Sequence, residues 1–128
     1  MNNSRDYIER IKALIVSSSQ FVNYVIVREE SQGDRGLFRY RLTMQDGSFL
    51  ELFEFFMLDD AEVQVTKYSF HWQNADGQLR KRWDNAAHHQ EISTYPHHIH
   101  DGTEENVMPH QPVNAEDILE IVARLTKT

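Results

Sequence analysis

Five of the seven histidines, His88, His89, His97, His98 and His100, fall within thirteen consecutive positions, and Asp84, Asn85, Glu91 and Tyr95 stand among or beside them. Imidazole titrates nearest neutrality and is the side chain metals most often choose, so a run this dense is a candidate acid/base or metal site. The chain has no cysteine. Thiol nucleophiles, disulfides and cysteine zinc fingers are thereby excluded, and His, Asp and Glu remain as the strong metal ligands.

Two chemistries fit these residue types. Metal-independent cleavage of a phosphodiester needs one neutral imidazole to take a proton from a ribose 2′-hydroxyl and a second, protonated one to supply the leaving oxygen. It also needs a cation for the charge that develops on phosphorus. His71 with His98 or His100 is the candidate pair, Lys67 or Arg82 the cation, and Asp84 the carboxylate that fixes an imidazole tautomer. RNA is then the candidate substrate and no cofactor is required. The alternative is zinc or another divalent metal. Pro96 favours an extended Tyr95, and an extended continuation puts His98 and His100 on one side of a strand. With His88 or His89, and Asp84 or Glu91, they supply the three or four ligands of zinc, or a mixed set for nickel or manganese. No HExxH-type motif fixes that geometry. A third reading gives the chain no chemistry and makes the polar segment a surface for a protein partner.

Each group also has an ordinary explanation. His71 can be a strand residue with a satisfied hydrogen bond. Asp84-Asn85 can form an Asx turn leading out of a sheet, and Arg80-Lys81-Arg82 can be a solvated face. Trp72, Trp83, Phe70 and Tyr68 read as core or cleft-wall aromatics rather than a base-stacking platform. Glu54 can be a cross-strand partner of Arg39 or Arg41. The joint density of histidines is what resists these explanations.

The elements that must position these groups are legible from periodicity. Residues 4–18 place Tyr7, Ile8, Ile11, Leu14 and Ile15 at helical spacing behind Ser4 as N-cap. Five runs rich in β-branched and aromatic residues follow, FVNYVIVREE, LFRYRLTM, SFLELFEFFML, EVQVTKYSFHWQ and QLRKRW, separated by short Gly and Asp turns that imply antiparallel hairpins. Arg39, Arg41 and Thr43 alternate with Phe38, Tyr40, Leu42 and Met44, and strict alternation in 62–72 sets Val63, Val65, Lys67, Ser69 and His71 on one side. Asn114 caps a last helix with an apolar stripe of Ile118, Ile121, Val122 and Leu125. The expectation is one α+β domain spanning 1–128. It consists of an antiparallel, strongly twisted five-strand meander, half-barrel-like, with N-terminal and C-terminal helices packed on one face.

The chain carries 20 acidic and 13 basic side chains, a net charge of −7, which argues against a protein that coats nucleic acid at large. Residues 67–100 are the part that is not acidic, with four basic and three acidic groups. That stretch is where an anionic ligand belongs. MNNSRDYIER lacks an apolar leader and no run is long enough to span a membrane, so the expected location is cytoplasmic.

The ordered segments KYSFHWQNADGQL, RWDNAAHH and YPHHIH resemble the TumE family, small bacterial proteins assigned as the toxin half of a toxin–antitoxin pair. The resemblance runs along nearly the whole chain, with its strong motifs from Lys67 to His100. It implies a growth-inhibiting protein neutralised by an antitoxin encoded beside it; a second copy, as a homodimer, is a further candidate partner. On that pattern the carried-over positions are Glu54, Lys67, Tyr68, His71, Asp84, Asn85, His88, His89, Pro96, His97, His98 and His100. Ala87 and Gln90 stand where the family pattern has proline, which would stiffen the loop rather than act in chemistry. The candidate catalytic groups are then His71, Asp84, His88, His98, His100 and Lys67, with Arg82, Asn85, Tyr68 and Glu54 as substrate-binding groups. The metal alternative uses His88, His89, His98 and His100. His71, Asp84, His88, His98 and His100 are expected to converge on one cleft.

Overall fold

A computed structural model describes residues 2–126. The first helix, α1 (Ser4–Ser17), is capped by Asn3, whose side chain accepts from the Asp6 N–H. Ser4, read above as the cap, is already helical. Its hydroxyl ties the helix start to the Ser31 hydroxyl at 2.6 Å and the Gly33 carbonyl at 2.7 Å. Tyr7, Ile8, Ile11 and Ile15 are buried along one face of α1, at the spacing the sequence displays.

Seven strands follow: β1 (Phe21–Gln32), β2 (Arg35–Met44), β3 (Phe49–Asp59), β4 (Glu62–Gln73), β5 (Leu79–Asp84), β6 (His98–Asp101) and β7 (Val107–Pro109). They pair in chain order as one antiparallel sheet that does not close, with β1 and β7 at its edges. The first five match the expected meander. The expectation of five strands is corrected to seven, because β6 and β7 are only four and three residues long and the pair joins the sheet after a 13-residue excursion rather than a hairpin turn. Such strands show no propensity run; pairing with β5 makes them.

Helix α2 (Ala115–Thr126) closes the described chain. Asn114 Oδ1 accepts from the Asp117 N–H at 2.9 Å and Asp117 Oδ2 from the Asn114 N–H at 3.0 Å, a reciprocal cap. Its buried residues are Ala115, Ile118, Leu119 and Val122; Leu125, placed in the apolar stripe above, is 49% exposed and Leu119 replaces it. Both helices contribute to one core against Phe38, Tyr40, Leu52, Phe56, Phe70 and Trp72, so the other face of the sheet carries no helix.

Alternation along β4 is not strict. β3 steps from Phe55 to Phe56 while β4 steps from Lys67 to Val65, which leaves Thr66 as an extra residue. This bulge reverses the side-chain phase. Val63 and Val65 therefore pack against the core together with Tyr68, Phe70 and Trp72, whereas Lys67, Ser69 and His71 face outward. Arg39 and Arg41 share that outward face and both bind Glu51, Arg41 Nε at 2.8 Å, so Glu51 and not Glu54 is their cross-strand partner. Glu54 is fully buried on the helical face, where it accepts from the Tyr7 hydroxyl at 2.7 Å and from the Ala115 N–H that opens α2. Burial raises its pKa to about 7 against the lowering effect of those two donors.

Candidate functional site

Strand β6 decides the geometry of the site. Its register sets His98 opposite Asp84 and His100 opposite Arg82, while Ile99 between them is buried in the core. An extended chain therefore presents both imidazoles on the helix-free face beside Asp84. The loop of residues 85–97 supplies a third ring. His89 has a left-handed backbone, φ 60°, and lies 5.3 Å from the His98 ring and 5.9 Å from the His100 ring, which are themselves 4.9 Å apart. One nitrogen from each of these histidines lies within 4.8 Å of the others.

Hydrogen bonds orient the rings. His98 Nδ1 is 2.9 Å from the Pro96 carbonyl oxygen and His100 Nδ1 is 2.8 Å from that of Glu104. A carbonyl can only accept, so each Nδ1 bears the proton and donates. The Nε2 atoms then face Asp84, at 2.9 Å for His98 to Oδ1 and 3.7 Å for His100 to Oδ2. Asp84 is 5% exposed and also accepts from Arg82 Nε at 3.1 Å and from the Ala86 N–H at 3.0 Å. A neutral imidazole has one N–H, and in His98 it is already used. Its Nε2 lone pair would meet a carboxylate oxygen unless positive charge stands there, as a second ring proton or as a cation shared by the group.

The family model described as Toxin TumE matches residues 11–126. The chain belongs to the TumE toxin family. Membership of a toxin family implies an antitoxin as partner. The chain matches no curated protein and no solved structure. No helix among the described residues is long and apolar enough to cross a membrane.

The positions carried over from the TumE pattern separate in space. Asp84, His89, His98 and His100 form the cluster. His88 is exposed with its ring 6.3 Å from that of His89, and it is not one of the three gathered imidazoles. His71, expected in the same cleft, stands across β5: it pairs with Arg82, which in turn pairs with His100. Two strand spacings, roughly 10 Å, part His71 from His100, and its Nε2 contacts Gln73 Oε1 at 3.0 Å. It lines a separate cleft of about 380 Å³ with Arg41, Phe49, Leu50, Glu51 and Gln73. Lys67 is exposed on the cluster's face, opposite Phe55. Asn85 spends its amide on the β4 backbone, accepting from the Tyr68 N–H and donating to the Thr66 carbonyl. Tyr68 and Glu54 lie on the core face. His97 turns to that side, where its ring stacks on Tyr68 and its Nδ1 is 2.8 Å from the tyrosine hydroxyl; burial, then His98, lowers its pKa.

Arg80-Lys81-Arg82 is not a solvated run. Arg80 lies over the Trp72 ring, Lys81 binds Asp101 at 2.9 Å, and Arg82 binds Asp84 and Glu104. The features that sequence reasoning missed are the carbonyls of Pro96 and Glu104. A backbone acceptor leaves no mark on residue type.

Proposed function

We propose that this TumE-family toxin is a divalent-metal-dependent hydrolase that cleaves phosphodiester bonds of RNA, with Asp84, His89, His98 and His100 as the metal ligands. The observation that carries the reading is the anchoring of His98 and His100 through Nδ1 to backbone carbonyls, which leaves Nε2 free to face Asp84. Metal-bound histidines are oriented in this way by their other nitrogen. Three nitrogens and a carboxylate suit zinc, and equally a mixed-ligand metal such as manganese or nickel.

A bound metal of this kind activates water and polarises a phosphoryl oxygen. Arg82, next to Asp84 on the same strand face, places a guanidinium where the phosphoryl oxygens gather negative charge. Water adds its oxygen to phosphorus, the bond from phosphorus to the leaving nucleoside oxygen breaks, and the proton lost by water ends on that oxygen. The 4.9 Å between the His98 and His100 rings leaves no room for a phosphate between them, which disfavours those two as an acid and base on opposite sides.

The second reading, metal-free acid/base cleavage, draws on the 2.9 Å contact of Asp84 with His98, a carboxylate and imidazole pair. Elemental analysis of the purified protein, with RNA cleavage before and after chelation, separates the two. The metal reading expects a bound divalent ion, cleavage lost on chelation and restored by adding metal, and no retained ion in His98→Ala. Full cleavage by metal-stripped protein would overturn it and leave the acid/base pair.

A further inference from the structure

The helix-free face of the sheet carries an aromatic stripe that the histidine cluster does not use. Along β3, Phe49, Glu51, Phe53 and Phe55 alternate outward while Leu50, Leu52, Glu54 and Phe56 are buried. Phe49 is 43% and Phe55 40% exposed, although burying such rings is among the larger gains open to a fold. The Arg39 guanidinium lies 4.5 Å above the Phe53 ring. We propose that this face binds a single strand of RNA, its bases stacked on Phe49, Phe53 and Phe55 and its backbone led past Arg41 and Arg82 to the histidine cluster.

Three observations select that occupant. Register makes the stripe continuous with the cluster, since Arg41, Glu51, His71, Arg82 and His100 form one cross-strand row. Cations stand along the route: Arg39 and Arg41 pair with Glu51, Arg82 pairs with Asp84 and Glu104, and Lys67 is exposed beside Phe55. A phosphate backbone on this route would exchange those carboxylate partners for its own charge. Finally, charged side chains stand among the rings, Glu51 between Phe49 and Phe53, Arg39 opposite Phe53 and Lys67 opposite Phe55, whereas the centre of a protein interface is depleted of charge.

Successive outward residues of a strand are about 6.7 Å apart, roughly twice the 3.4 Å rise of stacked bases. Bases on these rings must be unstacked from one another, as single strands allow and duplexes do not. The cleft of about 380 Å³ beside Phe49, with Arg41, Glu51, His71 and Gln73 on its walls, offers donors and acceptors to one splayed base. The inference rests on the hydrolase reading for its choice of RNA, but the platform itself shares no residue with the ligand set.

The test is fluorescence anisotropy with the full chain and a labelled single-stranded RNA of roughly ten nucleotides. The His98→Ala background prevents cleavage. Phe49→Ala and Phe55→Ala should each weaken binding about tenfold, Phe55→Tyr should restore it, and rising salt should weaken it. An RNA duplex of the same sequence should bind less tightly. Unchanged binding by the Phe49→Ala/Phe55→Ala double variant, with an unchanged thermal melt, would overturn the proposal. So would equal affinity for the duplex. A double variant that merely turns a dimer into a monomer, while the parent binds no RNA, would assign the stripe to a second copy instead. Because binding is read without cleavage, a failed hydrolase and a failed platform give different results.

Discussion

Glu54 and Asp84 are buried carboxylates on opposite faces of the same sheet, 0% and 5% exposed. Glu54 meets groups whose proton is not in question, the Tyr7 hydroxyl and the Ala115 N–H, and it pins both helices to the sheet. Asp84 also takes an N–H and a guanidinium, but its remaining neighbours are imidazole nitrogens that have already used their proton on carbonyls. A buried acid with its donors supplied is architecture. One left facing lone pairs is poised to hold positive charge, and that separates a structural from a functional carboxylate better than burial does.

The comparison breaks most visibly at the cluster. His98→Ala should cut growth arrest and RNA cleavage by about 100-fold or more while the protein stays folded, as expression in a growth assay and circular dichroism would check. Retained activity in that variant would remove Asp84 and its neighbours from the chemistry. Glu54→Ala should act in the opposite sense, on stability. It leaves two buried donors unpaired and opens a void, a cost of about 3 kcal/mol, read by denaturant unfolding, while whatever fraction folds still binds metal.

A pH titration sharpens the contrast. The folded pKa of Glu54, about 7, lies above the ordinary 4.5, so the native state binds the extra proton between these values. The contribution of Glu54 is then full below pH 4.5 and is lost as pH rises through 7. Its size is about 3 kcal/mol at most. Tyr7 from α1 and Asp117 from α2 are the titratable groups that act on it, and the tyrosine stays neutral because burial, then Glu54, raises its pKa. Glu54→Gln should flatten this slope, so the variant gains on the parent protein as pH increases; parallel curves would show that Glu54 titrates normally. The smallest effect is expected at His71→Ala. Its side chain contacts Gln73 and none of the cluster, so metal content should not change and cleavage should change about twofold. A loss equal to that of His98→Ala would rejoin His71 to the site.

Both helices and the first five strands were legible because their signals are local: caps, turns and apolar periods of 3.6 and 2. His98 and His100 could be paired in advance for the same reason, since two residues apart on extended chain means one face. His71 was misplaced toward the cluster. Strand periodicity reports which face a side chain takes and not how many strands lie between it and its neighbour. Val63 and Val65 changed sides because a bulge at Thr66 is a matter of pairing, invisible in a run that alternates without fault.

The residue sequence by itself determined that the candidate site lies between Asp84 and His100, that no thiol is available to it, and that the fold is an antiparallel sheet with a helix at each end. Tertiary structure alone decided that His89 and not His88 completes the cluster, that β6 exists at all, and that Glu54 belongs to the helices. Each of these depends on a partner distant in sequence: a loop folded back on the sheet at a left-handed His89, a ladder with β5, and the N-terminus of a helix 61 residues away. Local preference carries no information about such partners, because their energy is released only when the contact forms.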